Sequence, residues 1–314
     1  MSILKKNFCI VGYGEHAKLK IIPSLLKFKN VKLSIVSKKK MKLNNYKIYS
    51  NLIEALKTLS EDTIFVLTSP PELHYQQISL ILNFKRDVYV EKPIFVSLTE
   101  AKSAFRKLEG RENILVEMLM YKYTKLYKIF KKYFTKNINQ IKKIEIIFTL
   151  PNLPSNTFRD NLSVKSSIFY DMGCYIFSLL NDLSVPLKNF KIKEYEINNR
   201  KIQNILFIGS SNNMDIYAEL GIHKIYTNKV TLSKHNGTEL SFENFFYGRE
   251  TNKRINISRK NNFRELTFKD INGFYELFKI PRNNWIETQK KRMNKILKIS
   301  KKMETIESKL KLRL

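Results

Sequence analysis

Short apolar runs and helically spaced apolar positions alternate through the first third of the chain. NFCIVG (7–12) reads as a buried strand, followed by EHAKLKIIPSLLKFK (15–29), whose Ala17, Ile21, Leu25 and Phe28 share one helical face, with Pro23 as a kink. VKLSIVS (31–37) is a second strand, and NLIEALKTL (51–59) is a short helix capped by Asn51. TIFVLTS (63–69) is a third strand, and PELHYQQISLILNF (71–84) is a helix opened by proline, which the first turn tolerates. DVYVEK (87–92) is a fourth strand, SLTEAKSAFRKL (97–108) a helix ended by Gly110, and NILVEM (113–118) a fifth strand. Strands joined by helices of this length predict a parallel, doubly wound sheet, a Rossmann-type α/β domain over residues 1–120.

The pattern changes near Tyr121. A helix, KLYKIFKKYF (125–134), leads to a long strand, IKKIEIIFTL (141–150). A polar loop then precedes the helix SSIFYDMGCYIFSLLNDL (166–183). From Phe190 to Phe268 strands follow one another across polar turns, with Asn236-Gly237 as a hairpin signal. This predicts a second domain, residues 121–314, of α+β type with a mostly antiparallel open sheet. Its tail from Trp285 onward reads as helical and basic.

The length of 314 residues suits two such domains, and 43% hydrophobic residues exclude a disordered chain. No apolar run approaches the roughly 20 residues of a membrane span. MSILKKNFCIVG enters its first strand at once, so no signal peptide is expected. Cys9 and Cys174 both lie in apolar contexts, and two thiols make no disulfide framework; a cytoplasmic protein is expected. The net charge of +29 arises from 57 Lys and Arg against 28 acids. These cations are spread along the chain together with abundant Asn, Ile, Phe and Tyr, as an AT-rich coding sequence gives. The charge is therefore read first as compositional and nucleic acid is not favoured; its functional alternative is a basic field that draws anionic ligands inward. No metal-ligand spacing is present.

Five motifs carry candidate chemistry. GYGEHA comprises Gly12, Tyr13, Gly14, Glu15, His16 and Ala17, between the first strand and the first helix. Gly12 permits a tight turn, Gly14 lets the backbone approach a pyrophosphate, and Ala17 replaces a third glycine at the helix–strand contact. The helix N-terminus then faces the phosphates. The chain has only nine glycines, so two at this turn are not compositional. At the end of the second strand, Ser37 and Lys38 stand where an NAD site usually has an acid. A hydroxyl and an ammonium suit a 2′-phosphate, so NADP(H) is preferred and NAD(H) remains open. In LTSPPELHY, Thr68, Ser69 and Pro70 would lie along the cofactor, and His74 stands either near the nicotinamide or in a structural role. Glu91 and Lys92 end the fourth strand against Pro93, at the sheet edge where ligands bind. Asp171 and Tyr175, four residues apart, share one helical face otherwise apolar, with Gly173 allowing close approach of a backbone or ligand. Arg159, in the polar loop NTFRDN, is a candidate for an anionic substrate group.

GYGEHA, TSPPELH, VYVEKPI and YDMGCY, in this order and spacing, resemble the Gfo/Idh/MocA family of NAD(P)-dependent oxidoreductases. The resemblance runs from residue 7 to about residue 250 and includes GIHKIYTNKVTL (221–232). It implies a Rossmann domain, a C-terminal α/β domain with an open sheet, a substrate cleft, and homodimers or homotetramers formed through that sheet. By position it implies that Lys92 lies between nicotinamide and substrate and that Tyr175 takes the acid/base place. Asp171 would orient the substrate or the Tyr–Lys pair, and Tyr121 would join the substrate residues. A tyrosine near pKa 10 is a poor acid or base at neutral pH, and a neighbouring ammonium lowers that value. Where many relatives have His, this chain has Tyr175, as in members acting on sugars, including nucleotide-sugar ketoreductases. Ser166 and Ser167 replace glycines that often precede the Asp motif, and Lys122 stands where arginine is common. The expected function is alcohol–ketone interconversion on a sugar or sugar nucleotide. The alternatives are an NAD-dependent dehydrogenase of free sugars or inositol, and a cofactor-binding regulator without turnover.

Overall fold

The computed structural model describes residues 6–38, 45–151, 168–186, 189–198, 201–211 and 213–311. They belong to two units, one bounded by residues 1–119 and 274–300, the other by 120–273 and 301–314.

In the first unit the apolar runs pair in register as a parallel sheet: β1 (Lys6–Val11), β2 (Val31–Val36), β3 (Lys47–Tyr49), β4 (Ile64–Leu67), β5 (Val88–Val90) and β6 (Leu115–Glu117). Their order is β3-β2-β1-β4-β5-β6. The sequence order reverses between β1 and β4, so the loops after these two strands meet at a switch point. Ile10, Ile35, Phe65, Val66, Val88 and Val90 are fully buried. A strand covered on both faces needs no polar alternation, which is why these segments read as continuous apolar runs. Five of these strands are expected from sequence; β3, at the sheet edge, is not, because its KIY buries only Tyr49. Asn51 and Ser97 accept the N–H groups of Glu54 and Glu100 and so cap α2 (Leu52–Thr58) and α4 (Leu98–Leu108). Pro23 does not break the first helix. A π-helical stretch, Ala17–Ile21, precedes α1 (Ile22–Leu25), and the wider turn accommodates a residue that cannot donate.

The tail departs from expectation. Residues 274–300 lie in the first unit rather than in the substrate domain. They include most of α7 (Gly273–Lys279) and the first part of α8 (Arg282–Lys311). Phe278 packs on Phe8 and Tyr89 (5.7 and 5.4 Å), and Trp285 meets Tyr89 edge-on. Arg282 binds Asp87 at 2.7 Å, and Arg292 donates to the carbonyl of Leu115 at 2.6 Å. A helix with an apolar stripe docks wherever apolar surface is open, and sequence order does not name that surface.

The second unit holds β7 (Ile141–Thr149), β8 (Lys191–Asn198), β9 (Lys201–Ser211), β10 (Met214–Gly221), β11 (Thr227–Lys234), β12 (Glu239–Glu243), β13 (Asn252–Arg259) and β14 (Asn262–Lys269). Their order is β14-β13-β12-β11-β7-β10-β9-β8; β7 and β10 run parallel and every other pair is antiparallel. Gly237, at φ +78, turns β11 into β12 as the Asn-Gly signal predicts. Helix α6 (Ile168–Asp182) packs on β9 and β10 and is buried from Ile168 through Leu180. Helix α5 (Lys125–Asn137) buries Leu126, Tyr127, Phe130 and Phe134. No described helix is long and apolar enough to cross a membrane.

Candidate active site

The first turn is made by a residue that must be glycine. Gly12 has φ +99, and a Cβ there would lie 3.0 Å from the Ser69 nitrogen. The loop after β4 closes over it: Thr68 donates its N–H to the Val11 carbonyl (2.9 Å) and its hydroxyl to the Gly12 carbonyl (2.6 Å). The Gly12 N–H donates to Val36. Gly14 differs, since a Cβ there would meet nothing within 4 Å. That open side, at the start of the helix, fits a dinucleotide's phosphates. Exposed Glu15 pairs with Lys18 (3.1 Å), whose ammonium lies 5.1 Å from the Tyr13 ring. Ser37 is half-buried and donates its N–H to Tyr49, and Lys38 is exposed. Ser69 donates its hydroxyl to Gln77, and exposed Pro70 leads into the turn before α3 (His74–Asn83).

Residues 91–94 are tied at every position. The Glu91 N–H donates to Leu67. One oxygen of the Glu91 carboxylate lies 2.8 Å from His16 Nε2, and the other accepts the Lys92 N–H at 3.3 Å. The Pro93 carbonyl meets His74 Nδ1 at 3.0 Å, and the Ile94 N–H donates to Glu117. The Lys92–Pro93 peptide is cis. Burial pushes the Glu91 pKa up, but His16, Lys92 and Lys20 together outweigh it and hold the carboxyl below its ordinary range. His74 is fully buried, with its second ring nitrogen 2.9 Å from the Ser69 carbonyl. Burial lowers its pKa against the pull of both carbonyls and of Glu91 and Glu72. Its ring therefore braces two loops.

Asp171 and Tyr175 lie on α6, 7% and 5% exposed. The Tyr175 ring packs against Tyr121, Phe148 and Phe246 at 5.7, 5.9 and 5.4 Å, and its hydroxyl approaches Met120 Sδ at 3.7 Å. Tyr121 is fully buried within this aromatic cluster and packs edge-on against Tyr175. Burial, with Tyr127 and Asp182, pushes its phenol well above the ordinary value. Lys122 pairs with Asp182 at 2.7 Å, and Tyr127 donates to the same carboxylate. A Cβ on Gly173 would make only ordinary contacts, 3.5 Å or more, with side chains; no close approach demands glycine there. Arg159 lies outside the described residues.

Lys253 escaped the sequence reading. It is fully buried and donates its ammonium to the Tyr247 carbonyl (2.6 Å) and to that of Asn244. Between these carbonyls lie Phe245 and Phe246, which pack on Tyr121. The signal was present: Lys253 shares the inward register of β13 with Ile255. No group of residues that could hold a metal occurs among the described residues.

A glycine turn at a parallel-sheet switch point, bridged to the next loop, is the geometry of a nucleotide-binding α/β domain. Residues 6–118 match the Gfo/Idh/MocA family, described as an oxidoreductase family with an NAD-binding Rossmann fold. The match covers the NAD-binding domain of that oxidoreductase family. No curated protein matches the sequence. Among solved structures, it is similar to KijD10, a 3-ketoreductase from Actinomadura kijaniata in complex with NADP and TDP-benzene. That likeness has 14% identity, a TM-score of 0.82, and coverage of 97% of this chain and 98% of the other. The putative oxidoreductase yvaA from Bacillus subtilis is similar at 12% identity and TM-score 0.74, over 99% and 98% of the two chains. A Gfo/Idh/MocA family oxidoreductase from Vibrio cholerae is similar at 12% identity and TM-score 0.73, over 98% and 99%. At these identities the likeness establishes the fold.

Proposed function

We propose that the protein is an NADP(H)-dependent oxidoreductase that interconverts a hydroxyl and a ketone on a nucleotide-linked sugar. The observation that carries this reading is the turn at Gly12, bridged to Thr68 and Ser69, in the same unit as a Lys92 whose backbone neighbours are all tied. The 2′-phosphate is assigned to Ser37 and Lys38. The sugar nucleotide is inferred from the fold shared with KijD10, whose structure holds NADP and TDP-benzene. NADPH supplies the hydride when bound. Tyr175 gives the proton to the carbonyl oxygen in reduction and takes it back in oxidation. Lys92 favours the phenolate by its charge, and Asp171 orients the reacting pair. Contact with a second copy is assigned to the second sheet on the family resemblance alone.

The test begins with fluorescence titration of NADPH and NADH, then follows nicotinamide absorbance with TDP-linked and free keto sugars. Tighter NADPH binding and turnover of the linked sugar are expected. Tyr175→Phe and Lys92→Ala should keep cofactor binding and lose about 10²–10⁴ in rate. Turnover of free inositol with NAD would replace this reading with the free-polyol one. Wild-type rates for Tyr175→Phe would remove the acid/base assignment.

A further inference from the structure

The chain has four histidines, and two of them hold the segment that carries Lys92. His74 is locked away from solvent. His16 is not: its side chain is 34% exposed, and it stands in the first helical turn after the glycine turn, between Gly14 and Ala17. Its imidazole reaches across 75 residues of sequence to Glu91, whose second oxygen accepts the Lys92 N–H. One ring therefore borders the place assigned to the cofactor's phosphates and also touches the carboxylate that holds Lys92.

We propose that His16 takes up a proton when a dinucleotide occupies the turn, and thereby tightens its hold on Glu91 and fixes Lys92. The inference rests on the reading that this turn binds NAD(P). Phosphate charge beside an imidazole favours the imidazolium, and an imidazolium binds a carboxylate more strongly than a neutral ring does. The proton comes from solvent to Nδ1, while Nε2–H stays on Glu91. The charged groups around the ring are consistent with this exchange. Glu91 faces it, with Lys92 and Lys20 near that carboxylate; Glu15 and Lys18, on its own helix, pair with each other. From α7 the ring receives the edge of Phe274 at 5.8 Å, which carries no charge. Histidine is the side chain whose ordinary proton exchange falls between about pH 5 and 8. Linkage then requires that binding strengthen as pH falls, because whatever favours the proton is favoured by it.

The test uses NADH, whose pyrophosphate keeps its charge over this range, whereas a phosphate monoester such as the 2′-phosphate of NADPH titrates near pH 6 itself. Affinity is measured by fluorescence from about pH 5.5 to about pH 8.5, the range of imidazole exchange. Proton uptake is measured by calorimetry in two buffers of different ionisation enthalpy. Wild-type protein is expected to bind NADH about five- to tenfold more tightly at the acid end and to take up a fraction of a proton. His16→Gln keeps an N–H for Glu91 but cannot titrate; its affinity should be flat with pH, at the weaker level, without proton uptake. His16→Lys carries a fixed charge, and its affinity should be flat as well. Clear NADH binding with no pH dependence in the wild type would overturn the proposal, as would a slope that survives in His16→Gln. Failure of both NADH and NADPH to bind at any pH would instead overturn the functional reading, and this inference with it.

Discussion

Replacing Lys253 by methionine tests whether a buried cation supports the loop on which Tyr121 rests. The ammonium is fully buried against the carbonyls of Asn244 and Tyr247. Burial lowers its pKa from the ordinary 10.5 to about 8, against the pull of Asp270. At about 1.4 kcal/mol per pH unit, this gap is worth about 3 kcal/mol. Between about pH 8 and pH 10.5 the unfolded chain keeps this proton while the folded chain has released it. The unfolded state binds more protons there, so the lysine's contribution to stability rises with pH through that window. Below about pH 8 both states hold the proton and the contribution is flat. In Lys253→Met the rise is absent; the Tyr247 carbonyl loses its donor, at a cost of about 1–3 kcal/mol, while that of Asn244 keeps the Tyr247 N–H. Relative to wild type, the variant should therefore lose about 3 kcal/mol as pH rises through this window. Urea unfolding of both proteins, followed by circular dichroism at several pH values, measures the difference directly. Parallel pH dependences in the two proteins would refute the assignment.

Other substitutions probe the rest of the structure. Gly12→Ala places a Cβ 3.0 Å from the Ser69 nitrogen at φ +99, so it should lower stability by about 1–3 kcal/mol and abolish NADPH binding, read by unfolding and fluorescence titration. Gly173→Ala should raise stability by about 0.5–1 kcal/mol, because its Cβ meets only ordinary contacts within a helix; a loss on thermal unfolding would show that the space is tighter. Ser37→Asp should shift cofactor preference from NADPH toward NADH by about ten- to a hundredfold, the worth of a charge-assisted hydrogen bond. Equal affinities before and after the change would remove the 2′-phosphate assignment.

The sequence by itself determined what depends on chain neighbours. The glycine turn was legible because strand, Gly12, Gly14 and helix follow within a dozen residues, and steric limits on φ act locally. The parallel pairing of the first sheet followed from the spacing of strands and helices, though not its strand order or β3, and the β11–β12 hairpin followed from Asn236-Gly237. Asp171 and Tyr175 were placed on one face by the helical period alone. Tertiary structure decided whatever joins distant segments. It sent residues 274–300 to the first unit, because Phe278 and Trp285 find Phe8 and Tyr89 there. It turned His74 into a brace and gave Lys122 to Asp182. It also brought His16 onto Glu91, since β1 and β5 end on the same edge of one sheet with β4 between them. A window of sequence holds propensity and period; which side chains meet across a sheet depends on strand order and register, which exist only once the strands have paired.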